Sequence, residues 1–77
     1  MGSKYPILPP KDIIRVLEKI GFQKVSQKGS HAKYKNQTHP FRVVIIPIHS
    51  EIAKGTLKSI LDQANLSLDD FLKLLQI

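Results

Sequence analysis

Lys28-Gly29-Ser30-His31-Ala32-Lys33-Tyr34-Lys35 joins a glycine turn to a strict alternation of side chains. Glycine tolerates backbone conformations that other residues resist, so Gly29 predicts a turn. The period of two predicts a strand over residues 30–35, with Ala32 and Tyr34 on one face. His31, Lys33 and Lys35 then share the opposite face. Since the apolar pair must meet a core, the imidazole and its two lysines point away from it.

Upstream, Phe22 to Gln27 reads as a weaker strand, because Gln23, Lys24, Ser26 and Gln27 dilute its apolar content. Before it, Ile13, Val16, Leu17 and Ile20 recur at helical spacing, with Lys11, Arg15, Glu18 and Lys19 on the other faces. This predicts a helix over residues 10–20. Pro10 suits its first turn and Gly21 its stop. Residues 1–9 form a lead-in, extended where Pro6, Ile7, Leu8 and Pro9 crowd it. Met1-Gly2-Ser3 has the look of a tag remnant and is set aside.

Downstream, Asn36-Gln37-Thr38-His39-Pro40 is a loop by composition. Phe41 to Ile46 is the strongest strand, apolar at nearly every position, and is expected to be well buried up to Pro47. After a connector, a helix begins near Gly55-Thr56, carries Leu57, Ile60, Leu61 and Ala64 on one stripe, and stops at Asn65. In the final helix, Ser67 is the cap, Asp70 the capping-box partner, and Leu66 with Phe71 the staple. Leu68, Leu72 and Leu75 continue its apolar face.

The order helix, three strands, helix, helix predicts an α+β fold. Strands joined by short links make a three-stranded antiparallel sheet. A sheet that small needs helices on one face to bury it. The other face stays open, and His31 points there. Residues 10–77 are expected to form a single domain.

The chain has 77 residues, enough to bury roughly 60% of its unfolded surface and so to build one thin core. There is no cysteine, which excludes disulfides and thiolate metal sites and fits a cytoplasmic location. No apolar run approaches the ~20 residues of a membrane span, and no secretory signal is visible. The formal charge of +6 is uneven: residues 1–58 balance to +8 and residues 59–77 to −2. A positive body with a mildly acidic tail points to a polyanionic partner, most simply nucleic acid.

Among candidate sites, His31 stands first. A neutral imidazole can take a proton from a ribose 2′-hydroxyl or give one to a leaving 5′-oxygen. Lys28, Lys33 and Lys35 can hold the phosphate, next to the Gly29-Ser30 turn. Lys54, Gly55, Thr56 and Lys58 open the second helix, where free N–H groups and the helix dipole favour a phosphate. His39 and His49 are loop residues. Three scattered histidines without cysteine do not make a zinc site, so no metal or cofactor is expected.

These residues leave three readings open. The chain is an RNA-cleaving enzyme, a non-catalytic RNA-binding module, or a module whose basic face receives an acidic protein. Steep salt dependence separates RNA binding from the third.

Gly29-Ser30-His31-x-x-Tyr34, then Val44-Ile45-Ile46-Pro47-x-His49, then Lys54-Gly55-Thr56-Leu57-Lys58-Ser59-Ile60-Leu61-x-x-Ala64 resemble the HicA (YcfA-like) toxins. Asp12-Ile13-Ile14-x-x-Leu17-x-x-x-Gly21-Phe22 fits the same family, so the resemblance runs over about residues 10–66. It implies a double-stranded-RNA-binding-domain-like fold, α-β-β-β-α. It also implies a ribosome-independent mRNA interferase of a type II toxin–antitoxin module. The partners implied are mRNA and a HicB-like antitoxin that blocks the active site. The family's essential histidine falls on His31. The helix after Asn65 extends beyond the shortest members.

Overall fold

The computed structural model describes residues 5–76, so the expected tag remnant lies outside the described residues. The chain folds as α1 (Pro10–Lys19), β1 (Phe22–Lys28), β2 (His31–Asn36), β3 (Val43–Pro47), α2 (Lys54–Ala64) and α3 (Leu68–Leu75). The strands form one antiparallel sheet in the order β1-β2-β3. This is the α+β architecture expected, its last helix included.

Local chemistry explains where the helices begin and end. Pro10 sits in the first turn of α1, with Asp12 near its positive end and Lys19 near its negative end. Gly21 follows at φ +98°, a value that favours glycine. α2 stops where Asn65 turns left-handed at φ 56° and the Leu66 N–H reaches back to the Leu61 carbonyl at 2.9 Å. α3 starts where the Ser67 hydroxyl accepts the Asp70 N–H at 3.1 Å.

The core lies between the helices and one face of the sheet. Phe22, Ala32, Tyr34, Val44 and Ile46 enter it from the strands. Ile13, Val16 and Leu17 of α1, Leu57, Ile60 and Leu61 of α2, and Phe71 of α3 meet them from the other side. Ile52 in the connector is buried too, and its N–H donates to the Leu8 carbonyl at 2.8 Å, which ties down the lead-in.

α3 is part of this core. Phe71 is fully buried. The carbonyls at the end of α3 accept bonds from α1: Leu74 from the Lys19 ammonium at 2.8 Å, and Leu75 from the Arg15 guanidinium at 3.3 Å. Two cations of one helix thus sit at the negative end of another.

One expectation is corrected. Phe41–Ile46 is not buried throughout: only its alternate residues Val44 and Ile46 are. β3 begins at Val43 and is an edge strand, with Val44 and Ile46 buried but Val43 46% and Ile45 37% exposed. Phe41 precedes the strand and is 57% exposed. The reason is the sheet order. β2 takes the centre, and the helices cover only one face, so every second apolar residue of β3 faces outward. Pro47 belongs to the strand and pairs with His31. Its missing N–H falls at the free edge, where proline costs no ladder bond. The Ile45 N–H on that edge donates to the Gln63 side-chain carbonyl of α2 at 2.9 Å, which blunts the edge against further pairing.

Candidate functional site

The open face of the sheet is built from the β1–β2 hairpin outward. Lys28 pairs with His31 across a two-residue loop, Gly29-Ser30. Gly29 has φ +59° and Ser30 does not share the positive value, the pattern of hairpin turns that place glycine first. The turn ties down the N-terminal end of β2. From there His31, Lys33 and Lys35 alternate outward, while Ala32 and Tyr34 are buried.

Lys28 joins this face because β1 carries a bulge. Lys24 pairs with Tyr34, and Ser26 with Lys33, so Val25 is the extra residue between them. An added residue flips the alternation that follows it. Phe22 and Lys24 lie on the core side before the bulge. Ser26 and Lys28 lie on the open side after it, and Lys28 ends directly across from His31. A regular β1 would have turned Lys28 toward the core. Nothing in the sequence pattern announces the bulge.

The open face therefore carries His31 with Lys28, Lys33 and Lys35. His31 is exposed. On its other side lies Pro47 of β3. The Ile48 N–H donates to the Ser30 carbonyl at 2.6 Å, which extends the β2–β3 ladder past the strands. That bond leaves His49 and Ser50 at the same end of the sheet as the His31 turn.

The second group of expected phosphate contacts lies on a different element. Lys54, Gly55 and Thr56 form the first turn of α2, a helix packed on the core side of the sheet. That end has no side-chain cap and no acidic residue in its first turn. Lys58 is paired with Asp62 at 3.2 Å in an exposed i, i+4 bridge. The structure thus gathers Lys28, His31, Lys33 and Lys35 on one surface, and Lys54, Gly55, Thr56 and Lys58 on a helix of the opposite layer.

Tyr34, quoted in the family motif, faces the core. Burial, reinforced by the Glu18 carboxylate, raises its phenol above the ordinary value of 10.0. It stays protonated at neutral pH and lies on the wrong side of the sheet to meet a ligand with His31. Among the described residues no three His, Cys, Asp or Glu side chains gather as a metal site would need.

Sequence reasoning missed the apolar part of this face. Val43 pairs with Lys35, and Ile45 with Lys33, so both stand on the open side beside the lysines. Phe41 continues the same two-residue spacing, with the Lys35 ammonium 5.1 Å from its ring centroid. A run of β-branched residues reads as buried whichever face is covered, and only the packing of the helices on one face shows otherwise.

The sequence pattern of the family described as HicA toxin of bacterial toxin–antitoxin matches residues 10–66. The chain belongs to the HicA toxin family. No curated protein matches it. The family match takes in α1, the whole sheet and α2, and so includes every residue of the open face. It ends before α3, which completes the core of this HicA-family chain from outside the matched region. Membership makes the chain the toxin side of a toxin–antitoxin pair and so implies an antitoxin partner. Among the described residues no helix is long and apolar enough to cross a membrane.

Proposed function

We propose that this protein is an RNA endonuclease, an mRNA interferase, with His31 as its general acid–base group. The observation that carries the reading is the position of His31 on the open face, between the three lysines of that face and in a HicA-family chain. Lys28, across the hairpin, and Lys33 and Lys35, along the strand, bind the RNA backbone. The Gly29-Ser30 turn keeps the approach to His31 low. Lys54, Gly55 and Thr56 hold a further phosphate, and Lys58 adds charge when it leaves Asp62.

In the reaction, the 2′-hydroxyl of one ribose attacks the adjacent phosphorus. The 2′-O–P bond forms and the P–5′-O bond breaks. His31 takes the hydroxyl proton and returns it to the leaving 5′-oxygen, so the chain is unchanged after each turnover. The products are a 2′,3′-cyclic phosphate and a free 5′-hydroxyl. Lysines beside the phosphate stabilise the charge that builds on its oxygens. One acid–base group supplies ~10²–10⁴-fold, which describes a slow nuclease. Each proton transfer is assigned to the imidazole, so the reaction as written calls for no metal or cofactor. A HicB-like antitoxin silences it by covering the open face.

The test is cleavage of an mRNA transcript in EDTA by the parent and by His31→Ala, with the fold of the variant checked by circular dichroism. Cleavage by the parent and loss by the variant are expected. Equal cleavage by both would remove His31 from the mechanism. Cleavage by neither, with salt-sensitive RNA binding kept, would make the protein an RNA-binding module instead.

A further inference from the structure

Two parallel stripes cross the open face. Lys33 and Lys35 form a cationic stripe along β2, with His31 at its end. Phe41, Val43 and Ile45 form an apolar stripe along β3 and its lead-in, with Val43 beside Lys35 and Ile45 beside Lys33. A nucleic-acid duplex presents phosphates on its outside and keeps its bases inside. It would meet the cationic stripe and leave the apolar one in water. An unpaired strand offers both surfaces at once, phosphates on one side and base faces on the other.

Phe41 is the anchor of the apolar stripe. More than half of it is exposed, yet it is not loosely held. Asn36 clamps the chain on both sides of it. The Asn36 side-chain amide donates to the Pro40 carbonyl at 3.0 Å, and its side-chain carbonyl accepts the Arg42 N–H at 2.5 Å. The Asn36 backbone N–H also donates to the Arg42 carbonyl at 3.3 Å. His39 packs at 72° to the ring, with centroids 5.7 Å apart, and Lys35 lies over it. An exposed aromatic ring fixed by its own backbone loses little entropy when it binds.

We infer that Phe41 is a base-stacking platform and that the open face takes single-stranded RNA, phosphates on the β2 lysines and bases on the β3 stripe. The inference rests on the RNA reading above and adds its substrate form. His31 and Lys35 are four residues apart on one strand, about 13 Å. The stacked base therefore lies a short way along the strand from the phosphate at His31. Phe41 positions the RNA and does not touch the reacting atoms.

Binding is measured in the His31→Ala chain to prevent turnover. The probes are a labelled oligoadenylate of about ten nucleotides and a duplex of equal length. The single strand is expected to bind more tightly than the duplex. Phe41→Ala should weaken single-strand binding roughly tenfold and leave duplex binding and the salt slope unchanged. As a second readout, Phe41→Trp introduces the only indole in a chain that has no tryptophan. Its emission should quench on the single strand. Single-strand binding that ignores Phe41→Ala, or an indole the RNA does not quench, overturns the platform alone. The apolar stripe would then fall to a protein partner. A duplex that binds as tightly, with the same dependence on Phe41, overturns the single-strand assignment. Absence of RNA binding even at low salt overturns the platform and the nuclease reading together.

Discussion

Phe71→Ala tests whether α3 belongs to the folding unit. Phe71 is fully buried, and α3 packs on both α1 and α2. Truncating a buried phenylalanine costs about 3–5 kcal/mol, part from lost burial and part from the cavity left behind. A domain of 77 residues has a total stability of about 4–12 kcal/mol. One substitution in the last helix thus removes a quarter of the stability at the least, and all of it at the most. For a domain this small each kcal/mol moves Tm by about 4–8 °C, so the midpoint should fall by at least about 12 °C. Thermal unfolding followed by circular dichroism reads this directly. Phe41→Ala is the control, since its ring is mostly in water and only the Lys35 and His39 contacts are lost. Its cost should stay within about 1 kcal/mol. A fall of less than about 5 °C for Phe71→Ala would show that α3 does not close the core, and that the unit ends with α2.

Two further outcomes follow from single residues. Gly29→Val places a β-branched residue at φ +59°, and because open space surrounds the site, the cost is one of backbone conformation, about 1–3 kcal/mol. A urea midpoint equal to that of the parent would mean the hairpin turn is not built as described. Tyr34 carries a pH dependence. Its phenol is raised above 10.0 in the folded chain, so the folded state holds its proton where the unfolded state has released it. That contribution is complete below pH 10 and is lost as the pH climbs through the folded value, so stability should fall with rising pH there. Tyr34→Phe should remove the high-pH part of the ultraviolet phenolate titration, and an unchanged titration would refute the assignment.

The legible parts of this chain were those set by neighbours in sequence. Pro10, Gly21, Asn65 and Ser67 act within one turn of their helix, so both ends of α1, the end of α2 and the start of α3 could be read from them. The alternation from His31 to Lys35 placed the imidazole and two lysines on the face away from the core, as observed. The illegible parts depended on partners far along the chain. Phe41 to Ile46 looks buried because its apolar content says nothing about which faces will be covered. The arrival of Lys28 beside His31 depends on an extra residue at Val25, a polar-flanked position with no periodic signal.

The sequence by itself thus determined the order of elements, four of the helix ends and the outward direction of His31, because periodicity and capping are local. The tertiary structure decided three things: that β2 is central and β3 is the edge, that a bulge joins Lys28 to the face, and that α3 fills the core. It also left Phe41, Val43 and Ile45 in solvent. Each follows from one constraint of packing. A three-stranded sheet has a single covered face, so pairing order and register choose which apolar residues the helices reach.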